Sequence, residues 1–214
     1  MESAEQAAAY ANADFEAPHS RFLALFREVF PGADIIGQVL DAGCGAGDIA
    51  LRFARAFPRC RVIGVDGSAA MLEQGRQILS RQPPELRDRV LLAQGRLPHN
   101  PLDGERFNTI ISNSLLHHLP EPQVLWQTLR TFARPGARIF IMDLMRPDGE
   151  ETARRLAEQY CAGEPDILRR DFFNSLLAAF SPEEIRDQLV CARLDQLEVQ
   201  TVSDRHVMIW GQMK

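Results

Sequence analysis

The sequence has little with which to staple itself together and little with which to grip a nucleic-acid backbone. Among 214 residues there are four scattered cysteines, Cys44, Cys60, Cys161 and Cys191, and no Cys-x-x-Cys pair. That excludes a disulfide-dense scaffold and argues against a cysteine zinc site or redox dithiol, so free thiols in a reducing cytoplasm are expected and no metal. No window approaches the roughly 18 uninterrupted apolar residues of a membrane span. Basic side chains are outnumbered, 24 against 29 acidic ones, for a net charge of −5. A phosphate-binding surface usually shows as a basic excess, so a nucleic-acid substrate is disfavoured. The segment MESAEQAAAYANADFEAPHS lacks a basic start and a long apolar run, so neither a signal nor a transit peptide is expected there.

What is present is ordinary globular usage, 45% hydrophobic and 25% charged, in a length that suits one domain over 1–214. Apolar spacing predicts a helix over 3–30, stopped by Pro31-Gly32. Strands are expected at 35–41, 61–66, 90–94, 107–113 and 138–143, with helices at 48–57, 68–81 and 122–133 between them. Strands alternating with helices imply a parallel sheet covered on both faces. Their continuous apolar character fits strands buried on both sides. Beyond 147 the pattern changes to two helices over 149–180, separated by Gly163-Glu164-Pro165. Ser181-Pro182-Glu183-Glu184 has the form of a capping box and opens a helix to about Arg193. Two β runs, 197–202 and 206–210, joined by Ser203-Asp204-Arg205, suit a terminal hairpin. The expected fold is α/β: a Rossmann-like, doubly wound, mostly parallel sheet in three layers, α/β/α, with an antiparallel carboxyl-terminal hairpin.

Asp41-Ala42-Gly43-Cys44-Gly45-Ala46-Gly47 joins the first strand to its helix. Such a loop lies at the carboxyl end of a strand, where open α/β sheets bind ligands. Asp66 closes the second strand nineteen residues after Gly47, and a carboxylate there can accept the hydroxyls of a ribose. The spacing is G-x-G-x-G, not the G-x-G-x-x-G of dinucleotide sites. Asp41 would repel a pyrophosphate and attract an ammonium. An adenosine joined to an amino acid fits better than a dinucleotide.

These segments resemble a known family. VLDAGCGAG at 39–47, VIGVDGS at 62–68, SNSLLHHL at 112–119 and RPGARIFIMD at 134–143 are similar to successive motifs of class I S-adenosylmethionine-dependent methyltransferases, in particular the small-molecule branch with the ubiquinone/menaquinone C-methyltransferases. The resemblance implies a seven-stranded sheet. It implies S-adenosylmethionine as cofactor and S-adenosylhomocysteine as product. It places Asp41, Gly43 and Gly45 at the methionine end, Cys44, Gly47 and Asn113 also on the cofactor, Asp66 on the ribose, and Gly67, Ser68 and Met71 beside the adenine. The family often has an acid after the third strand; here Gly95-Arg96 stands there, so backbone around Gly95 and Arg96, or Gln94, would take its place.

At the end of the fourth strand Asn113 and Ser114 can line the reacting centre, and His117 or His118 can serve as a base, since histidine titrates near neutrality. A histidine that packs under the loop and fixes its turn is the plainer reading. Absence of an Asn/Asp-Pro-Pro-aromatic motif at this position and of any Pro-Cys argues against DNA-amino and RNA-cytosine methylation. The least family-like parts, a helical lid at 1–32 and a helical insertion at 147–180, are expected to roof the acceptor pocket. From them, and from the edge of the fifth strand, come Tyr10, Arg146 and Asn174 as substrate candidates. Arg146 has a competing salt bridge with Asp143 or Asp148. The expected activity is methyl transfer to a small molecule in the cytoplasm. A catalytically silent S-adenosylmethionine-binding regulator and an NAD-type oxidoreductase remain as alternatives.

Overall fold

The computed structural model describes residues 16–98, 102 and 104–214; the expected helical residues 3–15, Tyr10 among them, lie outside these. Helix α1 (Glu16–Val29) leads into β1 (Gly37–Ala42), α2 (Asp48–Ala56), β2 (Cys60–Asp66), α3 (Ala69–Ser80), α4 (Pro84–Arg87), β3 (Val90–Gln94) and β4 (Phe107–Asn113). A 3-10 turn (Leu116–His118), α5 (Gln123–Phe132), β5 (Ala133–Leu144), α6 (Glu150–Tyr160), α7 (Asp166–Ala178), α8 (Pro182–Cys191), β6 (Glu198–Thr201) and β7 (His206–Gln212) follow. The sheet has seven strands in the order β3-β2-β1-β4-β5-β7-β6. β1 to β5 pair in parallel, whereas β7 runs antiparallel to β5 and β6 antiparallel to β7.

The period-two alternation of strand side chains sorts the core into two layers. Val39, Val62, Ile111, Phe140 and Met208 face α1, α2 and α3. Leu40, Val65, Ile110, Ile139, Ile141 and Ile209 face α5 and α8, where Leu125, Trp126, Leu129, Ile185 and Leu189 are buried. The first layer is aromatic at its centre: Phe26 lies 4.9 Å from Phe53 and 5.4 Å from Phe140, edge to face. Such rings prefer this arrangement to a flat stack. Burying each one contributes on the order of 1.5–3 kcal/mol. An ionic knot fixes α1 to the start of α2: Asp48 Oδ2 is 2.6 Å from His19 Nδ1 and 2.5 Å from Arg52 Nε, and Arg52 reaches Glu16 at 2.6 Å.

The expected elements are found, with shifts at their ends that have local causes. β1 begins at Gly37 because that residue has φ +88° and breaks the run after the exposed Ile36. α5 stops at Phe132 and the chain is already extended at Ala133, so Pro135-Gly136 lies inside β5. The ladder to β4 skips from Phe107↔Ala133 to Thr109↔Arg138, an irregularity that tolerates proline's missing N–H. α4 was not expected; Pro84 at its first position is the signal that could have shown it. The capping box at Ser181 forms in full: Ser181 Oγ accepts from Glu184 N at 3.3 Å, and Glu184 Oε2 accepts from Ser181 N at 2.8 Å.

Helices α6 and α7 pack on each other, and α7 also packs against the 3-10 turn. A small core of Leu144, Ala153, Leu156, Leu176 and Ala179 holds them to the sheet edge, with Phe172 and Phe173 partly buried around it.

Candidate active site

β1 lies between β2 and β4, so the direction of strand succession reverses there and the crevice opens at the carboxyl ends of β1 and β4. The glycine loop lines one wall. Gly43 has φ +73° and Gly47 φ +79°, a region in which a side chain is strained. With these turns the loop folds back on β2: Gly43 N and Cys44 N both donate to Val65 O, at 2.8 and 3.1 Å. Helix α3 presses on the loop from outside, because a β-carbon on Gly75 would lie 2.7 Å from Ala46 O.

Asp66 links loop and sheet. Its Oδ2 accepts from Gly45 N and its Oδ1 from Ser68 N, both at 2.8 Å. Each carboxylate oxygen has a further lone pair, so two neighbouring hydroxyls can still be taken. Ser68 in turn caps α3 by accepting from Met71 N at 3.3 Å. Met71 Cε reaches the loop, 3.2 Å from where a Gly45 β-carbon would be. Gly95 N is bound to Asp66 O at 3.0 Å, which brings Gly95 beside Asp66; Gln94 Nε2 donates to Gly67 O at 3.4 Å, and Arg96 points to solvent.

Asp41 is 1% exposed and its Oδ2 is enclosed with no hydrogen-bond partner. Burial, with the Asp66 charge nearby, pushes its carboxyl up to about 7. A carboxylate oxygen enclosed without a partner beside the glycine turn is chemically incomplete, and an ammonium would complete it. The diphosphate of a dinucleotide would meet two acids at the same place. Cys44 is buried against Gly64, and burial raises its thiol well above the usual range. It contributes backbone and bulk to the loop, not a reactive sulfur.

The opposite wall is the end of β4. Ser112 Oγ donates to Ala42 O at 2.7 Å and ties β4 to β1. Asn113 Oδ1 is enclosed without a partner. Ser114 has φ +56°, which is unfavourable for any residue with a β-carbon, and its N–H donates to Met142 O at 2.9 Å. Leu115 then lies against Gly43. His117 is buried with its Nδ1 2.6 Å from Asp143 Oδ1, whereas His118 is exposed, its ring centroid 4.0 Å from that of His117.

The substrate candidates do not come together. Arg146 is paired with Glu184 in the first turn of α8, not with Asp143 or Asp148; Asp143 is already held by His117 and two amides. Asn174 is exposed on α7, and Tyr10 lies outside the described residues. Sequence reading did not find three participants. Asp143 figures there only as a competing partner for Arg146. Leu115 has no role there, and Gly75 passes as an ordinary helix residue, although a glycine inside a helix is itself a signal of a packing reason.

Comparison with known proteins agrees with this geometry. Residues 39–136 match a protein-family profile described as a methyltransferase domain. The chain is 32% identical over 111 residues to the ubiquinone/menaquinone biosynthesis C-methyltransferase UbiE of Syntrophotalea carbinolica, covering 52% of this chain and 45% of that protein. It is 37% identical over 99 residues to the trans-aconitate 2-methyltransferase of Deinococcus radiodurans, covering 46% of this chain and 34% of that protein. The matches therefore span about half the length of these curated relatives or less. Among solved structures, the glycopeptide N-methyltransferase MtfA complexed with S-adenosylmethionine superposes with a TM-score of 0.64 at 17% identity, over 92% of this chain and 94% of that one. The plantazolicin methyltransferase BpumL in complex with S-adenosylhomocysteine reaches 0.71 at 12% identity, over 98% and 90%. At these identities the likeness is one of fold.

Proposed function

We propose that this chain, which matches a methyltransferase-domain profile over residues 39–136, is a class I methyltransferase that transfers a methyl group from S-adenosylmethionine to a small-molecule acceptor. The observation that carries this reading is the enclosed, unpartnered Oδ2 of Asp41 next to the Asp66–glycine-loop junction. The pair matches an ammonium and a ribose at once and mismatches a diphosphate.

Asp41 would accept the ammonium of the cofactor's methionine portion, with Gly43, Cys44, Gly45 and Gly47 as the wall behind it. Asp66 would take the ribose hydroxyls. Gly67, Ser68, Met71, Gly95 and Arg96 surround the place left for the adenine. The bound cofactor supplies an already activated methyl on a sulfonium, so the reaction is a direct displacement. The protein's share is alignment, which can contribute about 7–11 kcal/mol, and removal of a proton where the acceptor carries one. Asn113, Ser114, His117 and His118 stand at the reacting edge. Arg146 would engage an anionic acceptor only by exchanging Glu184 for it, and Asn174 and Tyr10 would serve as polar contacts of the lid. A reducing cytoplasm suits the four free cysteines, and no helix among the described residues is long and apolar enough to cross a membrane.

Calorimetry with S-adenosylhomocysteine, and with NADH as control, tests the cofactor. Tight binding of the former is expected, and a preference for NADH would overturn the reading. Asp66→Ala should cost about 1–3 kcal/mol of that affinity, the value of charge-assisted hydrogen bonds. Product formation from labelled donor in a metabolite extract separates an enzyme from a silent binding module.

A further inference from the structure

The carboxyl ends of β4 and β5 carry a buried histidine–carboxylate pair that cofactor binding leaves unused. Asp143 is 1% exposed. Its Oδ2 accepts from Leu116 N at 2.7 Å, and its Oδ1 accepts from Leu144 N at 2.8 Å and contacts His117 Nδ1 at 2.6 Å. An ionised carboxylate can only accept, so this contact puts the imidazole proton on Nδ1 and the free lone pair on Nε2. His117 Nε2 makes no hydrogen bond, yet it is not among the enclosed unpartnered atoms. The lone pair therefore opens out of an otherwise packed ring.

The surroundings say what the pair is for. The Leu116 and Leu144 amides already close the turn on Asp143, so the imidazole is not needed to close it. The turn is bounded by the glycine loop through Leu115 and by α7 on the lid side. The other titratable groups near the ring are His118 beside it and His206, which stands opposite Leu144 in the β5–β7 ladder. An amine or a thiolate brings its own free electron pair to a methyl group. A hydroxyl must lose a proton as it attacks, so it gains from an oriented base.

We infer that His117 is the general base of the transfer, that Asp143 is its positioning residue, and that the acceptor is a hydroxyl-bearing small molecule. This rests on the reading of the crevice as a methyl-transfer site. The acceptor oxygen forms its bond to the methyl carbon as the carbon–sulfur bond breaks, and that electron pair stays on sulfur. The hydroxyl proton passes to His117 Nε2, where Asp143 balances the imidazolium charge, and then leaves to water.

The test is nitrogen NMR of the full chain with labelled histidine, using S-adenosylhomocysteine as probe and His117→Gln to assign the signal. His117 should be neutral with its proton on Nδ1, and its Nε2 signal should move when the probe binds. Asp143→Asn presents an amide donor to the ring and should shift the proton to Nε2, while probe affinity stays within about threefold. A wild-type His117 protonated on Nε2, or one whose signal ignores the bound probe, overturns the assignment, and neither result needs the variant to fold. Failure of the probe to bind in calorimetry would instead remove the cofactor reading. Labelled-methyl profiling of an extract should place the label on oxygen, at a rate reduced about 100-fold or more in His117→Gln; label on carbon, nitrogen or sulfur overturns the acceptor class.

Discussion

Leu115 rests its side chain on the face of Gly43 where any other residue would carry a β-carbon: such an atom would lie 2.7 Å from Leu115 Cδ1 and 2.9 Å from Leu115 Cβ. The contact joins the glycine loop after β1 to the turn after β4, across the crevice. Gly43 is also at φ +73°. Gly43→Ala should lose about 1–2 kcal/mol to backbone strain, with a further loss from the collision. Leu115→Ala in the same chain should relieve the collision with the two δ-carbons and leave that with the Leu115 β-carbon, together with the strain. The double variant is then expected to melt higher than the two single losses together imply, by about 0.5–3 kcal/mol of coupling. Additive losses in thermal or urea unfolding would show that the contact yields freely.

The Asp41 carboxyl, near 7 in the folded chain against an ordinary 3.8, makes stability depend on pH. Between these values the folded protein holds a proton that the unfolded chain has released. Stability from this group therefore falls as pH rises from about 4 to about 7 and changes little above that. Asp41→Asn removes the penalty. Its melting temperature should gain on the wild type between pH 5 and pH 8, and a constant difference would contradict the assignment. If an ammonium meets Asp41, binding near pH 7 should expel that proton. Calorimetric enthalpies of S-adenosylhomocysteine should then depend on the buffer in the wild type and not in Asp41→Asn.

Gly75→Ala sets helix propensity against packing. Alanine is worth about 1 kcal/mol over glycine inside a helix. Here its β-carbon would sit 2.7 Å from both Ala46 O and Leu92 Cδ1. The carbonyl belongs to the glycine loop and cannot rotate away, and overpacking costs roughly 1–3 kcal/mol. A lower melting temperature together with weaker S-adenosylhomocysteine binding is expected. A stabilised variant with unchanged binding would mean that α3 does not brace the loop.

Ser181→Ala tests the start of α8, where the helical insertion ends. The serine hydroxyl and the Glu184 carboxylate satisfy each other's backbone amides, and losing the cap should cost about 1 kcal/mol. Glu184 also holds Arg146. Chemical denaturation should register the loss, and Ser181→Gly should lose less, since glycine is itself tolerated at this position.

Much of the architecture could be read along the chain because it rests on local rules. Continuous apolar runs gave way to amphipathic helices at a spacing that suits buried parallel strands. Ser181 to Glu184 announced a helix start, and the Asp41–Gly47 loop with Asp66 marked one crevice wall. Composition and periodicity therefore determined the layers and the strands, and motif spacing the place of one crevice wall. They did not determine the other wall. His117 with Asp143, Leu115 on Gly43, Gly75 on Ala46, and Arg146 with Glu184 instead of Asp143 all depend on which strands are neighbours and in what register. No local pattern encodes that, because burial repeats every two or 3.6 residues while a single contact between distant side chains is fixed only when the sheet closes around it.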